Sequence, residues 1–208
     1  MSLAHRFSKY NRDRKWEIFL KEMSPTTSTQ VLDIGFSENE YSNTDNYIEK
    51  HYPYQNMLTA LGIDTPIMFK ERYPEVSTVQ YDGERFPFED KQFDIAWSNA
   101  VIEHVGIRNR QLMFLEEIKR VSKRAFITTP NRYFPVEVHT RIPILHWLPK
   151  FVFDKYLVLV GKDWASGEYM HLLSLNDIKS LLADAGIVEF EIVNNRIAGF
   201  VVDFIIIF

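Results

Sequence analysis

From Val31 onward the chain alternates short apolar runs with stretches of helical spacing, and this switching restricts the available folds more than any other feature of the sequence. Alternation of that kind indicates an α/β fold. Five runs read as strands: Val31 to Gly35, Asn56 to Asp64, Val76 to Asp82, Phe93 to Trp97 and Ala125 to Thr129. Between the last two, Leu112, Leu115, Ile118, Phe114 and Val121 form an apolar stripe, with Arg110, Glu116, Glu117 and Lys119 facing away, which predicts a crossover helix. Ahead of the first strand, Trp16, Phe19, Leu20 and Met23 lie at helical spacing before Ser24-Pro25, as in an amphipathic helix that covers a sheet face and is stopped by proline. Ser174 with Asp177 resembles a capping box, and Ile178, Leu181, Leu182 and Ala185 continue the helix toward a stop at Gly186. Val188 to Val193 and Gly199 to Phe208 flank Asn194-Asn195 and read as a closing antiparallel pair. The expected architecture is a doubly wound sheet ending in a hairpin.

Length and composition narrow the function. A chain of 208 residues buries about 70 to 75% of its unfolded surface in one core, so one domain covering residues 1–208 is expected and no disulfide or metal staple is needed. With no cysteine, thiolate zinc sites, iron–sulfur clusters and thiol nucleophiles are excluded. A net charge of −4, with basic and acidic residues interleaved, argues against a nucleic-acid partner. The one basic cluster, Arg12, Arg14 and Lys15, reads as a solvated helix face. His5 to Lys15 is too polar for a signal peptide, and no apolar run approaches the roughly 18 to 20 residues that cross a bilayer, so a cytoplasmic location is expected.

Ligands of doubly wound sheets sit at the carboxyl ends of the strands. The residues there are Asp33 with Gly35, Asp64, Asp82, Ser98 with Asn99, and Thr129 to Asn131. Three of the five ends carry an aspartate, a costly placement unless each carboxylate receives hydrogen bonds, and a nucleoside with its ribose diol and exocyclic amine supplies such donors. A carboxylate-held Mg²⁺ is the competing explanation, but no phosphate-cradling glycine loop with lysine is present, and no metal is expected.

Val31-Leu32-Asp33-Ile34-Gly35, then Leu61-Gly62-Ile63-Asp64, Asp82-Gly83 with Phe86-Pro87-Phe88, and Phe93 through Val105 resemble, in order and spacing, a class I S-adenosylmethionine-dependent methyltransferase of the type 11 domain group. Thr129 to Pro135, continuing to His139 and His146, is similar to methyltransferase-like proteins of bacteria associated with cell-surface polysaccharide synthesis. The resemblance implies a Rossmann-like, seven-stranded, mostly parallel sheet and S-adenosylmethionine as cofactor. It implies that Asp33 and Gly35 border the methionine part, that Asp64 accepts the ribose hydroxyls, and that Asp82 with Gly83 lies near the adenine amine. Ser98 and Asn99 would lie beside the sulfonium. Glu103 and His104 follow, either bracing the site or touching the acceptor. The chain departs from the family pattern after Gly35, where Ser37 and Asn39 stand in place of further glycines; Asn39 is expected in a left-handed turn.

Residues 131–170, rich in Tyr133, Phe134, Trp147, Phe151, Phe153, Tyr156, Trp164 and Tyr169, read as a lid over the acceptor, as a satellite core under a long connection, or as both. Interfacial membrane contact by Leu145 to Val160 is a third reading. Glu137, His139 and His146 are the ionisable candidates within it, and His104 or His139 is the expected general base if the acceptor is a hydroxyl of a small molecule or glycan precursor. Two other readings stay open: a non-catalytic methyltransferase-like binding subunit, and a nicotinamide-dependent oxidoreductase, which wants the glycine pattern that is missing here.

Overall fold

β1 (Val31–Ile34) organises the sheet. All four residues are buried, as befits a parallel strand covered on both faces. It pairs in parallel with β2 (Leu58–Gly62), Ile34 lying opposite Leu61, and on its other edge with β4 (Phe93–Asn99), Ile34 lying opposite Ser98. β3 (Ser77–Gln80) extends the sheet beyond β2, with Gly62 opposite Gln80. β5 (Ser122–Pro130), β6 (Glu191–Ile197) and β7 (Phe200–Ile207) complete seven strands in the order β3-β2-β1-β4-β5-β7-β6. The sheet is mostly parallel with antiparallel C-terminal strands, and its order reverses direction between β1 and β4, the switch point at which such folds bind ligands. This computed structural model describes residues 3 to 137 and 139 to 208, with side chains from residue 6 onward.

The backbone packs as two compact units, one of Met1–Asn99, Glu117–Ile127 and Ile207, the other of Ala100–Glu116, Thr128–Ile206 and Phe208. In the first, α1 (Leu3–Met23) lays Phe19 edge-on to Trp97 of β4 at 4.8 Å between ring centroids, and Trp97 stacks on Phe126 of β5 at 5.1 Å. Met23 is buried too, whereas Leu20 of the expected stripe faces solvent. The basic cluster is not a solvated face: Lys15 is buried, Arg12 and Arg14 are half-buried, and the Arg12 charge acts on Asp33. Helix periodicity alone misses this because the long stems of these side chains pack while their charges find partners.

Two short helices, α2 (Tyr47–His51) and α3 (Met68–Arg72), flank the strand ends, and α4 (Arg108–Val121) is the expected crossover helix. In the second unit, α6 (Leu175–Asp184) carries the full capping box: Ser174 Oγ accepts from the Asp177 N–H at 3.2 Å, and Asp177 Oδ2 accepts from the Ser174 N–H at 2.9 Å. The hairpin after it turns elsewhere than the sequence suggests. Asn194 and Asn195 lie inside β6, and the reversal falls on Ala198 and Gly199, at φ of 50° and 87°. Asn195 is buried, its amide donating to Asp203 Oδ2 at 3.3 Å, so an asparagine that resembles a turn former is a strand residue with a cross-strand partner.

Residues 145–147 form a 3-10 turn leading into α5 (Lys150–Leu159). Ile142, Phe153, Leu157, Ala165 and Met170 form a separate apolar cluster, with Leu145, Tyr156 and Leu172 packed against it. The aromatic-rich segment therefore does build a satellite core. Tyr133, Trp147, Phe151, Trp164 and Tyr169 stay partly exposed around it.

Candidate functional site

The first unit gathers the residues expected to hold a cofactor. Gly35 follows β1 at φ 99°, a conformation that side chains resist, and its N–H donates to the Leu61 carbonyl at 2.8 Å. Beyond it, Phe36 is buried with its ring beneath Gly62, where an added Cβ would stand 2.5 Å from the ring edge. The loop that lacks glycines is shaped by side chains instead. Asn46, at φ 46°, accepts from the Ser37 N–H and donates to the Ser37 carbonyl, both at 2.8 Å, and it donates to Glu40 Oε1 at 2.9 Å. Glu40 also accepts from the Tyr73 hydroxyl at 2.6 Å and pairs with Lys50 at 2.8 Å. Asn46, not Asn39, is thus the left-handed residue, because its amide can clamp the strand exit from nine positions away.

At the strand ends, Asp64 and Asp82 are exposed, and Asp82 Oδ1 accepts from the Glu84 N–H at 3.0 Å, which leaves Gly83 at the turn with φ 87°. Ser98 is buried, and its hydroxyl has no hydrogen-bond partner among the described residues; Asn99 beside it is half-buried. A buried hydroxyl left unsatisfied at a strand end is the kind of group that a ligand completes.

Asp33 behaves differently from the other two aspartates. It is buried against Glu49 of α2, which is 0% exposed. Burial pushes the Asp33 carboxyl up to about 7, opposed by its hydrogen bond with Glu49 and by the Arg12 charge, and burial together with the Asp33 charge pushes Glu49 well above the usual carboxylate range. Apart from Asp33, neither buried Glu49 oxygen has a hydrogen-bond partner among the described residues, which with the neighbouring Asp33 charge favours the protonated form of the acid. Nothing in the sequence around Glu49 marks it; only its burial against a strand-end aspartate does.

The second unit gathers the acceptor-side candidates. Glu103 is 0% exposed; Oε2 accepts from the Thr129 hydroxyl at 3.0 Å, and Oε1 lies 3.9 Å from Nε2 of His139. His104 Nδ1 donates to the Tyr169 carbonyl at 2.8 Å, which leaves Nε2 with the lone pair. The two imidazoles meet edge to face at 4.7 Å between centroids. Glu137, also buried, accepts from the His139 N–H at 2.9 Å and from Thr140, and so fixes the loop that carries His139; Val138 lies outside the described residues. One donor atom from each of Glu103, His104 and His139 falls within 4.8 Å of the others, a set able to share a proton or to hold a divalent cation. His146 is set apart, its Nε2 donating to the Phe134 carbonyl at 3.0 Å, and burial lowers its pKa. A cavity of about 230 Å³ lies beside it, lined among others by Arg132, Lys150, Phe153 and His171.

No helix among the described residues is long and apolar enough to cross a membrane. Residues 42–125 match the methyltransferase domain family. Asp64, Asp82, Gly83, Ser98, Asn99 and His104 fall inside that match, and Asp33, Gly35 and His139 fall outside it. No curated protein matches the chain. Among solved structures, an S-adenosylmethionine-dependent methyltransferase from Methanosarcina mazei is similar at 17% identity and TM-score 0.55, over 88% of this chain and 92% of that one. One from Aquifex aeolicus is similar at 17% identity and TM-score 0.54, over 92% and 87%. One from Thermotoga maritima, described as a possible histamine N-methyltransferase, reaches 16% identity and TM-score 0.58 over 99% and 90%. Residues 42–125 thus match a methyltransferase domain, and the chain shares its fold with solved S-adenosylmethionine-dependent methyltransferases.

Proposed function

We propose that this chain is an S-adenosylmethionine-dependent methyltransferase that transfers the sulfonium methyl in line to a hydroxyl or amine of a small molecule or glycan precursor, with Glu103, His104 and His139 handling the acceptor's proton. The observation that carries the reading is the approach of Glu103 Oε1 to His139 Nε2 at 3.9 Å beside a His104 whose tautomer is fixed by Tyr169. S-adenosylmethionine supplies the activated methyl, and the protein's part is to hold the reactants in line and keep a base at hand. An imidazole of His139 takes the proton of an acceptor hydroxyl as the new C–O bond forms, and the buried Glu103 carboxylate stabilises the resulting imidazolium. His104, anchored through Nδ1, offers Nε2 as a second acceptor or orients the acceptor.

On the cofactor side the residues fit a nucleoside that has no phosphate to cradle. Asp64 and Asp82 present open carboxylates to ribose hydroxyls and the adenine amine, and Ser98 has an unsatisfied hydroxyl. Gly35, Gly83 and Asn99 give the backbone close approach, while Asp33, turned toward Glu49, braces β1 beneath the methionine part. The reading keeps residues 1–208 as one methyltransferase domain with 131–170 as its acceptor-side lid, and takes the chain to act in the cytoplasm. A glycan-precursor acceptor rests on the similarity of Thr129 to His146 to methyltransferase-like proteins of bacteria associated with cell-surface polysaccharide synthesis.

Calorimetric titration with S-adenosylmethionine, S-adenosylhomocysteine and NAD tests the cofactor side. Binding of the first two without NAD is expected, weakened about 10- to 100-fold in Asp64→Ala through loss of ribose hydrogen bonds. Cofactor binding without transfer to any acceptor in a screen of hydroxyl and amine compounds would favour a non-catalytic binding subunit.

A further inference from the structure

We propose that the cavity beside His146 is an oxyanion subsite, in which Arg132 receives a phosphate or carboxylate carried by the methyl acceptor. The proposal rests on the acceptor-side reading above and adds the chemical class of the acceptor: a molecule with an anionic group next to an apolar part.

The first support is the way Arg132 is held. It lies two residues beyond β5, at the carboxyl end where sheets of this kind bind ligands. Its own N–H donates to the Leu173 carbonyl at 3.0 Å, and the neighbouring Asn131 is tied to β7 twice, through its N–H to Val202 at 2.9 Å and through its amide to the Val201 carbonyl at 3.0 Å. A backbone fixed this firmly sets where the side chain starts, and its guanidinium can grip an oxyanion with two N–H groups.

The second support is the charge balance of the lining. Lys150 donates to both oxygens of Asp154, at 3.0 and 2.9 Å, and so the two cancel. His171 Nε2 faces Glu168 at 3.0 Å, and burial disfavours the charged form of His146. Among the described residues, Arg132 is then the cation in the lining with no acid set against it in an ion pair. Phe153, Met170 and Leu172 supply the apolar wall, and a volume of about 230 Å³ accommodates a phosphate or carboxylate with a ring or short chain attached.

The third support is continuity with the proton-handling groups. Met170 and His171 line the cavity, while the adjacent Tyr169 carbonyl holds His104 and the His171 N–H donates to the Glu103 carbonyl at 2.7 Å. The three consecutive residues Tyr169 to His171 therefore serve both, so a molecule anchored at Arg132 needs to reach only across them to present a hydroxyl to the imidazoles.

The test uses phenyl phosphate as probe, with benzoate, inorganic phosphate and phenol beside it, titrated by calorimetry into the full chain at fixed ionic strength. Binding of phenyl phosphate is expected, with at least a tenfold loss in Arg132→Gln, a smaller loss in Arg132→Lys, and no change in Arg141→Gln, an exposed arginine outside the cavity. Benzoate binding as tightly as phenyl phosphate would assign the subsite to a carboxylate, and inorganic phosphate alone binding as tightly would assign it to the free anion; both keep the oxyanion site. Equal affinity for phenol, or phenyl phosphate affinity unchanged in Arg132→Gln, would overturn the proposal. S-adenosylhomocysteine titrated into the same variants separates the two claims. Its binding intact while phenyl phosphate fails rejects the subsite alone, and its failure in the parent chain rejects the cofactor reading independently. A Arg132→Gln chain that does not melt cooperatively is replaced by Arg132→Lys, for which an affinity unchanged from the parent counts against the planar two-pronged grip.

Discussion

Each unit of this chain buries a glutamate at 0% exposure, and the two are handled in opposite ways. Glu49 is set against another acid, Asp33, so the pair reduces its charge by holding a proton. Glu103 is set against a hydroxyl on one side and an imidazole on the other, with His104 and His139 half-exposed at its edge. Isolated buried charge is unfavourable in either place. The first arrangement favours a protonated acid inside the fold, while the second sets a buried carboxylate beside partly exposed imidazoles, the geometry on which the proposed proton handling rests.

Breaking the second arrangement has the largest expected effect. His139→Ala should lower the rate of methyl transfer by about 100-fold or more, in the range typical of a lost general base, with S-adenosylhomocysteine affinity unchanged; initial rates with a labelled methyl donor measure it. If the rate holds, the imidazole is only packing. The first unit is tested through its backbone approach instead. Gly62→Val drives a side chain into the Phe36 ring and should destabilise by about 1–3 kcal/mol, read from the urea midpoint with acceptor-side properties intact.

The first arrangement has its own signature. Because burial holds the Asp33 and Glu49 pKa values above those of the unfolded chain, the folded state binds more protons between the ordinary carboxylate range and about 7. Stability should therefore fall as pH rises through that window, by at most about 1.4 kcal/mol per pH unit for each proton. Glu49→Gln should flatten that slope when urea midpoints at pH 5 and pH 7.5 are compared, and a slope unchanged from the parent would remove the shared proton from the account. The smallest effect expected is that of Ser174→Ala, which opens the capping box of α6 and should cost about 1 kcal/mol in a thermal melt without altering ligand binding.

The sheet was legible because a central parallel strand is buried along its whole length and so mostly apolar, as Val31, Leu32 and Ile34 around Asp33 are, and α6 was legible because its cap residues are local in sequence. What escaped depends on contacts made far along the chain. Asn195 resembles a turn residue until Asp203 arrives opposite it, Lys15 resembles a surface charge until it packs, and Ser37 resembles a defect until Asn46 reaches back to hold its backbone. Glu49 carried no local signal at all. His104, His139 and the strand-end aspartates could be singled out by type and position, but not the fact that Asp33 faces an acid while Asp64 faces solvent.

The strand order holds a consequence for how this protein is made. β7, reaching residue 207, is inserted between β5 and β6 and is not an edge. A ribosome that has delivered everything up to the β6 strand has therefore produced a sheet whose β5 edge still lacks its neighbour, and such an edge invites pairing with other chains. The β5 edge stays open until β7 has emerged and inserted, so shielding of the nascent chain over that interval bears on how much of it reaches the folded sheet.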